Sequence, residues 1–208
     1  MNLTELNNQN GLFLTDKGSI HNYLKFYDAI FTQFKDKEIN IFEVGYQYGG
    51  SCELWRQYFS HAHIRAIDIK EWEPTGDRND LKLYNQFIEP AGRVRLDLIS
   101  INDLTEDYFK DFHPDIAIDD GSHSLEDQIA FVKKVYPYMN DGGYLIIEDI
   151  QNWETALPEF DKLGLHIFVV DQREITDVYD DVFIYFTKPD KRIHESKSDG
   201  IEIKSSKL

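Results

Sequence analysis

Cysteine is nearly absent from this 208-residue chain, in which Cys52 is the only one. That excludes an internal disulfide and a cysteine-ligated zinc, and makes a reducing compartment, the cytoplasm, the expected setting. No apolar run approaches the roughly 20 residues that span a bilayer, and the opening MNLTELNNQN has neither the basic nor the apolar stretch of a secretory leader. Positive charge is scarce: 22 Lys and Arg face 38 Asp and Glu, a formal net charge of -16. A field of that sign repels nucleic-acid phosphates and anionic lipid headgroups, so neither nucleic acid nor membrane is an expected partner. With 12 Gly and 6 Pro the chain is not fibrous or of low complexity, and its length suits one sizeable core. One domain is expected, with an N-terminal helical cap over 1–38, a core over 39–188 and a polar tail over 189–208. The tail ends in SKL, the form of a peroxisomal address; in a Lys/Ser-rich tail, chance is the reading adopted.

What is present is a regular alternation. Short apolar runs recur at INIFEVG (39–45), HIRAID (63–68), RVRLD (93–97), PDIAIDD (114–120), GYLIIED (143–149), LHIFVV (165–170) and VFIYFT (182–187). Between most of them lie stretches with helical spacing: SCELWRQYFS, DLKLYNQFIE, SLEDQIAFVKKVYPYM and WETALPEFDKL. In the third, Leu125, Ile129, Val132, Val135 and Met139 fall on one face, and Ser124 with Asp127 has the form of a capping box. Alternating strands and helices specify an α/β, Rossmann-like fold: a seven-stranded, mostly parallel sheet with helices on both faces. DQREITDVYDD, between the last two runs, has no helical pattern, so an antiparallel edge hairpin is expected there, with Asp177, Asp180 and Asp181 as solvated turn residues.

EVGYQYGGS follows the first strand and leads into a helix for which Ser51 is the expected N-cap. Glycines at that place let a backbone approach a nucleotide. The spacing of Gly45, Gly49 and Gly50 is not G-x-G-x-x-G, which disfavours a pyrophosphate-cradling dinucleotide site. Asp68, ending the second strand, is placed to accept from both hydroxyls of a ribose. Glu43 is placed to meet an ammonium group, and Asp97, ending the third strand, to lie near a base. Ribose and amine without phosphate describe S-adenosylmethionine; the alternative, glycines and Glu43 as ordinary tight-turn residues, stays open here.

Asp119 and Asp120 end the fourth strand, Glu148 and Asp149 the fifth. Parallel neighbours lie about 4.8 Å apart, so four carboxylates can meet at adjacent strand ends. Asp119 is assigned to the donor side; oxygen donors without cysteine suit a hard cation such as Mg2+ at Asp120, Glu148 and Asp149. His123, three residues past Asp120, is the candidate general base for a hydroxyl acidified by the metal. Acidic pairs that merely cap the following helices are the alternative.

TDKGSIHNYLKFYDAIF (15–31), FEVGYQYGGSCELWRQYF (42–59), IDDGSH (118–123) and GGYLIIEDIQ (142–151) together resemble the Mg2+-dependent class I S-adenosylmethionine O-methyltransferases related to the macrocin and mycinamicin sugar methyltransferases. The resemblance implies the class I methyltransferase sheet, a metal on Asp120, Glu148 and Asp149, His123 as base, a saccharide acceptor, frequent homo-oligomers and a TDKGS segment folded over the cofactor pocket. Two departures stand out: IQNWET replaces the usual T-S-Y-W after I-E-D, and the long N-terminal extension of some macrolide enzymes is lacking, so a bulky macrolide acceptor is not implied. The rival readings are a catechol-type or other small-molecule O-methyltransferase, a nicotinamide-dependent oxidoreductase and a non-catalytic nucleoside-binding protein.

Overall fold

The computed structural model describes residues 1–9, 12–72, 92–190 and 202–203. The helix expected at DLKLYNQFIE and the SKL terminus lie outside these. The chain forms two compact units, Met1–Ser100 and Ile101–Leu208.

The first unit opens with α1 (Leu3–Asn7) and a two-residue antiparallel ladder of Asn8–Gln9 with Leu12–Phe13. Then come α2 (Tyr23–Phe31), β1 (Asn40–Val44), α3 (Gly50–Tyr58), β2 (His63–Asp68) and β3 (Val94–Leu98). β1 pairs β2 and β2 pairs β3, both parallel. Ile41, Phe42, Glu43 and Val44 are all buried, the pattern of a strand covered on both faces rather than on one. The helices α2 and α3 meet through stacked and edge-on rings: Tyr27 and Phe31 lie 5.1 Å apart, and Trp55 is 6.0 Å from each.

The second unit contains β4 (Ile116–Asp119), α4 (Leu125–Val135), β5 (Tyr144–Ile147), α5 (Trp153–Asp161), β6 (Phe168–Asp171), α6 (Arg173–Thr176) and β7 (Val182–Thr187). β4 pairs β5 parallel, whereas β7 runs antiparallel to both β5 and β6. All seven apolar runs are therefore strands, and the last two form the expected antiparallel pair. Glu202–Ile203 adds a short parallel pairing to β6.

Three local expectations change. The buried stripe of α4 is Gln128, Phe131, Val132 and Val135, with Leu125 and Ile129 only half-buried, so the helix is rotated from the all-apolar face and turns a glutamine inward. The segment between β6 and β7 contains the short helix α6, ended by Asp177 in the left-handed region (φ 57°). Asp181, expected in solvent, is fully buried at the entry to β7.

Candidate active site

In the first unit, β1 delivers its last residues into a turn closed by glycines in the left-handed region: Gly45 has φ 94° and Gly49 φ 79°. Gly49, not Ser51, is the N-cap of α3; it makes no side-chain cap, and Ser51 lies buried within the first turn. Gly50 has a steric reason for its identity: a Cβ there would stand 1.8 Å from the Leu14 carbonyl oxygen. The segment that presses on it is itself fixed, because the buried Asn7 side chain accepts from the Thr15 amide (2.9 Å) and donates to the Thr15 carbonyl (3.0 Å).

The segment continues through a 3-10 turn, Asp16–Gly18, that buries Lys17 to 1% exposure. The Lys17 ammonium lies 3.8 Å from Glu43 Oε1. Glu43 Oε2 accepts from the Trp55 indole (3.0 Å) and from the Cys52 thiol (3.5 Å). The ammonium that Glu43 meets here thus belongs to the chain itself. Burial and the neighbouring Glu43 charge push the Cys52 thiol well above its ordinary pKa.

Asp68 closes the same turn from β2. Its Oδ2 accepts from the amides of Tyr46 (3.0 Å) and Gln47 (2.9 Å) and from the Trp72 indole (3.1 Å), while Oδ1 accepts from the Ile69 amide (2.7 Å). The carboxylate therefore holds the backbone of the glycine turn in place. Leu98, paired with Asp68, and Ile69, the residue after Asp68, stand 53% and 73% exposed, two apolar side chains at neighbouring strand ends. Asp97 pairs with Arg95, Nε to Oδ2 2.9 Å.

In the second unit, the loops after β4 and β5 bring acids and a histidine together. Donor atoms of Asp120, His123 and Asp149 all lie within 4.8 Å of one another. His123 Nε2 is 3.4 Å from Asp120 Oδ1 and 3.5 Å from Asp149 Oδ2. Glu148 is not in that set but is buried beside it, and its charge reaches His123. Both His123 (φ 57°) and Asp149 (φ 53°) adopt left-handed backbone, a conformation that costs a non-glycine residue about 1–2 kcal/mol and concentrates at functional sites. Ser124 caps α4 by accepting from the Asp127 amide, so a dedicated cap is in place. Two acids with a histidine are gathered beyond what capping needs.

The electrostatics follow from this crowding. The hydrogen bond to Asp120, with the charges of Asp149, Asp120 and Glu148, lifts His123 to about 9 against the opposing effect of burial. Burial raises Asp119 to about 7, opposed by the Gly121 amide and assisted by the Asp120 charge. Gln128, the buried glutamine of α4, donates to the Glu148 carbonyl (3.3 Å) and steadies the loop after β5. Its sequence signal was a polar residue four positions past the cap, on what became the buried face. Lys17 lies in the TDKGS stretch, whose spacing does not announce its pairing with Glu43, and Gln128 belongs to no motif.

No protein-family model matches the chain. Over 164 residues, 75% of this chain and 38% of the relative, it is 28% identical to demethylmacrocin O-methyltransferase of Streptomyces fradiae. Over 145 residues, 66% of this chain and 35% of the relative, it is 28% identical to 8-demethyl-8-alpha-L-rhamnosyl tetracenomycin-C 2'-O-methyltransferase of Streptomyces olivaceus. The chain thus spans little more than a third of the length of these curated relatives. The MycE methyltransferase of the mycinamycin biosynthetic pathway, solved with Mg and SAH, superposes with a TM-score of 0.65 at 21% identity, over 92% of this chain and 56% of that one. Both curated relatives are named as O-methyltransferases, and the fold of this chain is the class I methyltransferase fold.

Proposed function

We propose that this chain transfers a methyl group from S-adenosylmethionine to a hydroxyl of a saccharide or glycosylated natural product, assisted by Mg2+. The observation that carries the reading is the convergence of Asp120, His123 and Asp149. The named relatives support the class of reaction.

The donor set fits a hard divalent cation: carboxylates of Asp120 and Asp149, a further buried carboxylate on Glu148, and no thiolate among them. When bound, Mg2+ would acidify an acceptor hydroxyl. A cation held by Asp120 and Asp149 would offset the negative charge that keeps the His123 ring protonated; in this reading the neutral ring, oriented by the two carboxylates through Nε2, takes the hydroxyl proton as general base. The hydroxyl oxygen forms a bond to the methyl carbon as the carbon–sulfur bond breaks, leaving S-adenosylhomocysteine and the methyl ether.

Most of the residues assigned to the donor lie in the first unit. Gly45 and Gly49 give the turn its open backbone, with Ser51 in the first turn of α3. Asp68 Oδ1 accepts one backbone amide and keeps acceptor capacity for a ribose hydroxyl. Ile69 and Leu98 offer apolar surface to a flat base, next to Asp97. Glu43, buried with Lys17, supports the turn from within the core, and Asp119 completes the set assigned to the donor.

Calorimetric titration with S-adenosylmethionine, with and without Mg2+, tests the reading on wild type and Asp120→Ala. Expected are donor binding in both proteins and a Mg2+ signal only in wild type. His123→Ala should bind donor normally and lose about 100-fold or more of turnover; full turnover in that variant removes the base. Absence of donor binding by the wild type rejects methyl transfer.

A further inference from the structure

His123 (φ 57°) and Asp149 (φ 53°) hold left-handed backbone, and a strained residue of that kind persists only where its surroundings over-determine it. For both residues the restraint comes from the first turn of α4. On one side of His123, the Ser122 hydroxyl donates to Asp127 Oδ2; on the other, Ser124 Oγ accepts from the Asp127 amide (3.2 Å). In a capping box the side chain at the third helical position accepts the amide of the cap residue. Here the Ser124 amide donates to Ser122 Oγ instead (3.3 Å), and the Asp127 carboxylate is given over to Ser122 and to Asn102, whose Nδ2 donates to Oδ1 at 2.7 Å. Asn102 sits on a 3-10 turn, Ile101–Asp103, that Lys134 of α4 grips through the carbonyls of Asn102 (2.7 Å) and Leu104 (2.8 Å). The next residue of the helix, Gln128, is buried and donates to the carbonyl of Glu148, one residue before Asp149.

We infer that Asp127 and Gln128 are positioning residues: two consecutive positions of one helix, they impose the left-handed backbone at His123 and Asp149 and so bring both side chains to one point. This placement rests on the Mg2+-assisted methyl-transfer reading and adds to it what holds the base and the metal ligand in register. One helical step rotates a side chain by about 100°, which turns Asp127 to the loop after β4 and Gln128 to the loop after β5. A single rigid helix thereby sets the separation of the two loops. Each residue acts through another, Asp127 through the two serines that bracket His123 and Gln128 through the backbone of Glu148. Asp127 acts by hydrogen bonding and not by its charge, since both of its carboxylate oxygens are occupied as acceptors.

The test uses the full chain, labelled with 13C and 15N and free of metal, in which the backbone chemical shifts of His123 and Asp149 report whether each is left-handed. Asp127→Ala should move His123 out of that region and leave Asp149 in it; Gln128→Leu should do the reverse. In calorimetric titration with MgCl2 each variant should bind Mg2+ about tenfold more weakly than wild type, with S-adenosylmethionine binding unchanged as the check on an intact fold. Asp127→Asn loses the charge but keeps an acceptor for Ser122, and the Asn102 amide can turn over to accept where it donated. It should restore both the His123 shifts and the Mg2+ affinity. His123 shifts that stay left-handed in Asp127→Ala overturn the inference. So does an Asp127→Asn protein as impaired as Asp127→Ala, because charge would then be the cause. Either result, in a wild type that binds donor and Mg2+, leaves methyl transfer standing. A wild type that binds no Mg2+ overturns the metal-assisted reading and this inference with it.

Discussion

Lys17 and Glu43 set the terms at the scale of single residues, because both charges are out of water: 1% and 0% exposed, 3.8 Å apart. Removing one partner of a buried pair leaves the other charge uncompensated and costs about 3–5 kcal/mol, whereas removing both is far cheaper. Lys17→Met should therefore destabilise the protein to urea by that amount, and Lys17→Met with Glu43→Gln by less than the single change. Additive losses in that double-mutant cycle would mean that the two groups do not sense each other. Cys52 reports on the same spot, since its thiol touches Glu43 and is held neutral by burial and that charge. At pH 8 an aromatic disulfide reagent should leave native Cys52 unmodified and titrate one thiol in urea; rapid labelling of the native protein would show that the core around Glu43 opens. Glu43 and Cys52 were visible in the sequence as a carboxylate before a glycine turn and a small core residue. Their partner Lys17 was not, because its pairing spans 26 positions and depends on how the N-terminal segment lies on α3.

Elements were read well where a periodic apolar pattern is long, and less well where geometry turns on one or two residues. Most of the strands follow from burial on both faces, which needs only short runs of Val, Ile, Leu and Phe, whereas the edge strand β3 has no fully buried residue. The cap of α3 did not follow: Ser51 has the right chemistry for a cap, but Gly49 can take φ 79° and the tight approach of Leu14 leaves no room for a side chain at Gly50. The helix α6 escaped because four residues carry no period, and Asp181 was misread because acidity suggests solvent while the strand entry buries it. The candidate site was legible for Asp120, His123 and Asp149, which sit just past strand ends, and illegible for the backbone strain at two of them. The steric argument at the glycine turn is testable as a contrast. Gly50→Ala should cost about 3 kcal/mol through its clash with the Leu14 carbonyl. Gly142→Ala, at φ +81° with no atom within 4 Å of the added Cβ, should cost only the backbone strain, about 1 kcal/mol. Equal losses in urea melts would remove the contact with the N-terminal segment as the reason for Gly50.

On the scale of the whole molecule, a net charge of -16 and a local acidic cluster make different demands on ions. The diffuse charge destabilises the folded state by self-repulsion, which any salt screens; the cluster requires a cation of its own. Raising NaCl should therefore stabilise the wild type and Asp149→Asn alike. Replacing NaCl by MgCl2 at equal ionic strength should add a further increment only in wild type. A ligand that binds the native state alone contributes RT ln(1 + [L]/Kd), about 2.7 kcal/mol at 100 times Kd. For a chain of this length that corresponds to a Tm rise of about 5–10 °C. Asp149→Asn removes one oxygen charge from the cluster without changing its volume, so it should lose this increment while keeping the response to NaCl. Donor binding provides the independent reference, because the residues assigned to it lie mostly in the first unit: S-adenosylmethionine should raise Tm in both proteins. If Mg2+ and Na+ stabilised the wild type equally at matched ionic strength, the carboxylates after β4 and β5 would be helix-capping acids and no metal centre. If only the Mg2+ increment disappeared in the variant, the strained left-handed backbone at Asp149 would have its explanation, since it holds a carboxylate where the cation needs it.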